Sequence, residues 1–174
     1  MPLVPKLHIA LVTETKGKYM DSLVENAKEL GCNDRLHIMP YVDSTEITSF
    51  IQDATFGIHP MIRYGNAEVA LPNKLFDYIH AKIPVIVSNC TTMEQFVNKW
   101  KIGLVFEAEN EKELGNSIKK LLEEREKFTE NITDEILDTF SWENSEGLLK
   151  NIYLGMIRKL EGEVKNIENS FIEG

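Results

Sequence analysis

At 174 residues the chain is long enough for one domain with a real core and short of the length at which two become the default. A 43% hydrophobic and 27% charged composition excludes a disordered or low-complexity chain. The 28 acidic against 19 basic side chains give a net charge of −9, which excludes a broad basic surface for nucleic acid or anionic lipid, so an anionic ligand must be met locally. Cys32 and Cys90 are too few for a disulfide framework or a zinc site and read as free thiols of a reducing compartment. No apolar run reaches the ~20 residues of a membrane span, and the first 20 residues lack the regions of a signal peptide. The expectation is a soluble, cytoplasmic protein, in which the sequon Asn131-Ile132-Thr133 is fortuitous.

Residues 7–13 (LHIALVT) read as a strand, followed by a turn at Gly17 and a helix with Met20, Leu23, Val24, Ala27 and Leu30 at helical spacing, stopped by Gly31. The unit recurs: strand 36–42 (LHIMPYV), then a helix opened by Asp43 with Glu46 three residues on, burying Ile47, Phe50, Ile51 and Ala54. TFGIHP (55–60) is the next strand; a loop of about ten residues follows, then a short helix with Leu75, Phe76 and Ile79 inward, and the buried strand PVIVSN (84–89). Thr91 with Glu94 opens the next helix, GLVFE (103–107) is the last strand, and Asn110 with Glu113 caps a helix carrying Leu114, Ile118, Leu121 and Leu122. Residues 123–135 read as a charged connector. From Ser141 a long amphipathic helix carries Leu149, Ile152, Tyr153, Met156, Leu160, Val164 and Ile167 at spacings of three and four, a stripe that calls for a partner. Alternating strands and helices predict an α/β fold, a Rossmann-like doubly wound parallel sheet over residues 1–140 with the long helix as 141–174.

No Walker loop, Gly-x-Ser-x-Gly elbow, Gly-x-Gly-x-x-Gly or His-Glu-x-x-His occurs, and His8, His37, His59 and His80 lack ligand spacing, so no metal is expected. The informative stretch is 64–89. Pro72 suits a first helical position, which puts Asn73, Lys74 and their amides at a helix N-terminus that favours an anion, with Asp77 one turn on. Phosphates on the amides and sugar hydroxyls on the carboxylate would suit a nucleoside diphosphate. The plainer reading makes Asn73 a cap, Lys74 a solvated charge and Asp77 an ordinary helix acid.

The run LPNKLFDYIHAKIPVI (71–86) resembles the nucleotide-sugar segment of group-one retaining glycosyltransferases of the GT-B fold, whose common form is Leu-Pro-Asn-Lys-Leu-Phe-Glu-Tyr followed by small residues and Pro-Val-Ile. LHIALV, a helix ending in ELG, NDRLHIMPYV, DATFGIHP and the TFSWEN at 139–144 resemble the same family's C-terminal domain in order. The resemblance implies a transferase domain that binds a nucleoside-diphosphate sugar for polysaccharide assembly. It puts the diphosphate near Leu71, Asn73 and Lys74, the ribose on Asp77 where the family has Glu, and Thr13, Lys16, Arg63 and Tyr41 around the same ligand. A second family carboxylate, which faces the donor sugar eight residues before Asp77, falls at Val69, so Glu68, one position off, is the candidate catalytic carboxylate. Pro40 stands where the family often has Gly. The resemblance further implies that one central strand with its basic residue, and the N-terminal acceptor-binding domain, are missing from the chain. The absent part would account for any inner-membrane association, and a second copy is the other candidate partner for the long helix. The donor is the only small molecule implied; no cofactor or metal is. The rival reading is a non-catalytic nucleotide-binding module used for protein interaction. A receiver-like signalling domain is a third, without the acidic cluster it needs, since Glu14 stands alone.

Overall fold

A computed structural model describes residues 3–14 and 16–172, the stretch 163–172 as helical backbone. In chain order it gives β1 (Ile9–Val12), α1 (Lys18–Glu29), β2 (Leu36–Met39), α2 (Ile47–Ile51), β3 (Gly57–His59), α3 (Gly65–Val69), α4 (Asn73–His80), β4 (Val85–Ser88) and α5 (Thr91–Trp100). Then come β5 (Gly103–Phe106), α6 (Glu111–Glu123), α7 (Arg125–Glu130), α8 (Asp134–Thr139) and α9 (Trp142–Ile172). The alternation expected from the sequence is the observed one, and every strand pairing is parallel. The fold is α/β and Rossmann-like, with a long C-terminal helix. The strands nevertheless form two sheets, β1 with β2 and β3-β4-β5 in that order, so the single sheet expected is interrupted between its second and third strands in sequence.

The chain divides into two compact units, Met1–Ile132 and Thr133–Gly174. In the first, β4 is the centre: Val85, Ile86, Val87 and Ser88 are all fully buried, as a parallel strand covered on both faces must be. Ile86 and Phe106 meet Ile118 and Leu121 of α6, Phe128 of α7 and Val4 in one cluster, with Leu7, Phe56 and Ile58 packed against it. Residues 123–135 are therefore more than a connector. Phe128 in α7 and Ile132, two residues beyond its end, are buried, apolar anchors that the charged composition had hidden. Asn110 caps α6, its side chain accepting from the Glu113 amide at 3.0 Å, as its spacing predicts.

The second helix differs from expectation. Asp43 does not cap it: its carboxylate accepts from the amide and hydroxyl of Thr45 at 2.9 and 2.7 Å, an Asx turn that uses the capping oxygen locally. Helix α2 then starts only at Ile47, is five residues long and leaves Phe50 exposed. In the second unit Ser141 caps α9, its hydroxyl accepting from the Asn144 amide at 3.1 Å. Leu149, Ile152, Tyr153, Met156 and Leu160 on that helix are exposed; Val164 and Ile167 of the same stripe lie outside the described side chains. Among the described residues no helix is long and apolar enough to cross a membrane.

Strands β4 and β5 approach so closely at Gly103 that a Cβ there would collide with the Val85 carbonyl oxygen, the register partner. Backbone cannot yield as a side-chain tip can. Gly103→Ala is expected to destabilise the chain by about 2 kcal/mol or more, read as a lower urea midpoint with unchanged slope.

Candidate functional site

Because each crossover helix runs back over the sheet, the N-termini of α4 and α5 lie at the same edge as the carboxyl ends of the strands, where open α/β sheets take ligands. Met61 donates its amide to Ser88 Oγ at 3.0 Å, which fixes the chain leaving β3 against the end of β4. Buried Ser88 thus finds a partner and sets the loop that leads to α3 and α4.

Pro72 is the residue before α4 rather than its first residue, and Asn73 is the first helical position; no side chain caps the helix. This corrects the view of Asn73 as a cap. Among the described residues the amides of Asn73 and Lys74 donate to no other group, while the Leu75 amide bonds Pro72 O at 3.0 Å. Asn73 and Lys74 are exposed, Leu71 and Asp77 half-buried. Burial pushes the Asp77 carboxyl above its ordinary range, opposed by the charges of His80 and then Lys74. Its oxygens accept no hydrogen bond among the described residues. His59, at the end of β3, has its Nε2 atom buried and unpartnered. Burial first, then the Lys74 charge, pulls this imidazole below its ordinary value. Lys74, Asp77 and His59 therefore share one electrostatic neighbourhood.

Glu68 and Arg63 belong to a second cluster. Arg63 Nε donates to Glu68 Oε1 at 2.6 Å, and the amide and hydroxyl of Thr91 donate to Glu68 Oε2 at 2.9 and 2.7 Å. Thr92 Oγ1 adds a bond to the Glu68 carbonyl at 2.9 Å. Both carboxylate oxygens are thus engaged, and Glu68 serves the open N-terminus of α5, which has no cap of its own from Cys90. Arg63, then Thr91, hold the Glu68 carboxyl at about 2. Such a group stays ionised near neutrality and has no proton to donate. The loop between Pro60 and Pro72, expected to be irregular, contains the short helix α3, and it is α3 that carries Glu68 to α5.

The remaining sequence-predicted residues stand on other segments of the chain. Tyr41 lines an open cleft of about 540 Å³ with Asp43, Thr45, Glu46, Ser49 and Phe50, and α2, one wall of it, packs on α4. Thr13 and Lys16 follow β1, the Thr13 amide bonding Met39 O at 3.1 Å. Sequence reasoning missed His59 and Thr91. A histidine at a strand end carries no spacing signal, and the partner of Thr91 is 23 residues away. Among the described residues no three His, Cys, Asp or Glu side chains are grouped to hold a metal ion.

The Glu68 clamp predicts a definite pH response. Its folded carboxyl lies below its ordinary 4.5, so its stabilisation is present above 4.5 and is lost as pH falls through 4.5 toward about 2. Glu68→Gln should therefore be less stable than the parent at neutral pH, with the difference shrinking over that acid interval in urea melts.

Residues 3–135 match the family described as Glycosyl transferases group 1. No curated protein matches the chain. Among solved structures, sucrose-phosphate synthase from Thermosynechococcus elongatus superposes on 91% of this chain with a TM-score of 0.78 at 16% identity. A second, WaaG, a glycosyltransferase involved in lipopolysaccharide biosynthesis, superposes on 76% with a TM-score of 0.58 at 20% identity. The chain spans 40% and 34% of the length of those two. At these identities the likeness speaks for the fold, and the family match speaks for descent: the chain belongs to the group 1 glycosyltransferases and has the fold of their C-terminal domain.

Proposed function

We propose that the chain is the donor-binding domain of a glycosyltransferase, taking a nucleoside-diphosphate sugar whose glycosyl group passes to an acceptor with retention of configuration. One observation carries this reading above the others. A half-buried carboxylate, Asp77, whose acceptors are unfilled among the described residues, lies one helical turn from the likewise unpartnered amides of Asn73 and Lys74 and within electrostatic reach of the Lys74 ammonium. Helix-end amides and a cation favour a diphosphate, and a carboxylate accepts from two vicinal hydroxyls, so phosphate and ribose have complementary seats about one turn apart.

On this reading the bond between the anomeric carbon and the diphosphate breaks, and the charge that develops on the leaving oxygen is met by the α4 amides and Lys74. The reading calls on no metal. The cleft at Tyr41, walled by α2 beside α4, takes the base. On this reading Arg63 and Glu68 stay off the donor: they tie α3 to α5 and so fix the approach to α4, which makes Glu68 a positioning residue instead of the catalytic carboxylate. The acceptor site belongs to a further domain, and the exposed apolar side chains of α9 are where that domain or a second copy would lie. Assembly of a surface polysaccharide is the setting the reading favours.

Calorimetry with uridine and adenosine diphosphates, the matching monophosphates and inorganic pyrophosphate tests the assignment. Lys74→Ala should weaken the diphosphates by roughly 1–2 kcal/mol and the monophosphates less. Asp77→Asn should weaken nucleotides and leave pyrophosphate unchanged or tighter. Because burial raises the Asp77 carboxyl, nucleotide affinity should begin to fall at a pH above its ordinary 3.8, and Asp77→Asn should abolish that dependence. If neither substitution alters binding, the fold serves protein interaction and not a donor.

A further inference from the structure

The cleft walled by α2 differs from the rest of the sheet edge in what lines it. Tyr41 and Phe50 present two exposed aromatic rings, Asp43 and Glu46 two carboxylates, and no lysine, arginine or histidine is among the described residues lining it. The Asx turn at Asp43 delays α2 to Ile47, and the helix that follows is too short to bury Phe50. Two carboxylates in a chain of net charge −9 repel a phosphate, so the cleft suits a flat, uncharged group that brings N–H donors and a face to stack.

The two carboxylates are not equally open. Oδ1 of Asp43 accepts from both the amide and the hydroxyl of Thr45, at 2.9 and 2.7 Å, and these bonds hold the carboxyl below its ordinary range, so the group is charged and its orientation pinned. Its Oδ2 accepts no hydrogen bond among the described residues, and neither do the two oxygens of Glu46. Glu46 stands at the N-cap of α2 and makes no capping bond, so the fold makes no use of its carboxylate. One oxygen of Asp43 and both of Glu46 are therefore left as acceptors on the lining.

This pattern separates the nucleobases. Guanine carries three N–H bonds along one edge, N1–H and the two of its 2-amino group, whereas uracil has one, and adenine and cytosine have two on a single amino nitrogen beside an acceptor ring nitrogen. With guanine a carboxylate makes two parallel hydrogen bonds, as it does with the fork of arginine. With any of the other three bases its second oxygen meets an acceptor, so that a bond is lost and a repulsion added. We propose that the cleft selects guanine and that the donor is a guanosine-diphosphate sugar: Glu46 accepts from N1–H and one N2–H, Asp43 Oδ2 from the other N2–H, and Tyr41 and Phe50 supply the stacking faces. The assignment rests on the donor reading, to which the cleft is joined by the packing of α2 on α4.

Calorimetry on the full chain with guanosine, inosine, adenosine and uridine diphosphates tests it. The inosine compound lacks only the 2-amino group of the guanosine one. Guanosine diphosphate should bind about tenfold tighter than inosine diphosphate and at least about tenfold tighter than the other two. Glu46→Gln, which puts an N–H where one acceptor stood, should bring guanosine diphosphate within about threefold of uridine diphosphate. Asp43→Asn, which keeps Oδ1 and with it the turn, should weaken guanosine diphosphate and leave inosine diphosphate unchanged. Equal binding of all four, each weakened by Lys74→Ala, would overturn the guanine assignment and leave the donor site standing. So would a guanosine preference that survives Glu46→Gln. Binding of none of the four would remove the donor site and the base assignment with it.

Discussion

Strand β4 cannot be exposed anywhere along its length. Its four residues are buried and its edges are bonded to β3 and β5, so the helices on either side are held by the requirement to cover it. Parallel pairing then forces each connection to cross back over the sheet, and that is why loops and helix N-termini of different parts of the chain gather at one edge. Ser88, the last residue of the strand, is fully buried and polar. Its bond from the Met61 amide carries the constraint from the core into the loop that positions α3 and α4.

The two charged clusters at this edge differ in what is left open. In the Arg63, Glu68 and Thr91 cluster every strong acceptor of the carboxylate is filled from within, and its effect is to hold α3 on α5. Around Asn73, Lys74 and Asp77 the amides and carboxylate have no hydrogen-bond partner among the described residues, and the half-buried position of Asp77 makes its unfilled carboxylate more costly than on an open surface. On the proposed function, the unfilled groups beside the helix N-terminus are the ones a donor would fill. This contrast, more than the sequence motif, is why the proposed function gives Glu68 and Asp77 different roles.

Much of the fold was legible because the signals were strong and local: the apolar runs at 85–88 and 103–106, the helical spacing of α1 and α5, and the Asn110 cap with Glu113. What escaped depended on partners distant in sequence or on competition for one oxygen. Asp43 had the spacing of a cap but met Thr45 first. The helix α7 was hidden in a charged stretch because its one buried residue, Phe128, with Ile132 just beyond its end, suffices to dock a short helix. The division of the sheet was signalled by the family resemblance, which implies a missing central strand, and not by strand patterns, because periodicity reports which faces are apolar and says nothing of which edges are bonded. At the site, the helix holding Asn73, Lys74 and Asp77 was legible from its proline and its periodicity. The engagement of Glu68 by Thr91 was not, since no rule of spacing links residues on two helices.

The central claim is that the open edge of α4 seats a nucleoside diphosphate. The most direct measurement is a heteronuclear NMR titration of the full chain with uridine and adenosine diphosphates, following backbone amides. The account predicts saturable shifts that are largest at Asn73 and Lys74, extend to Asp77 and His59, and leave the amide of Thr91 in place. Shifts confined to Arg63, Glu68 and Thr91, or no saturable shift at millimolar diphosphate, would contradict it.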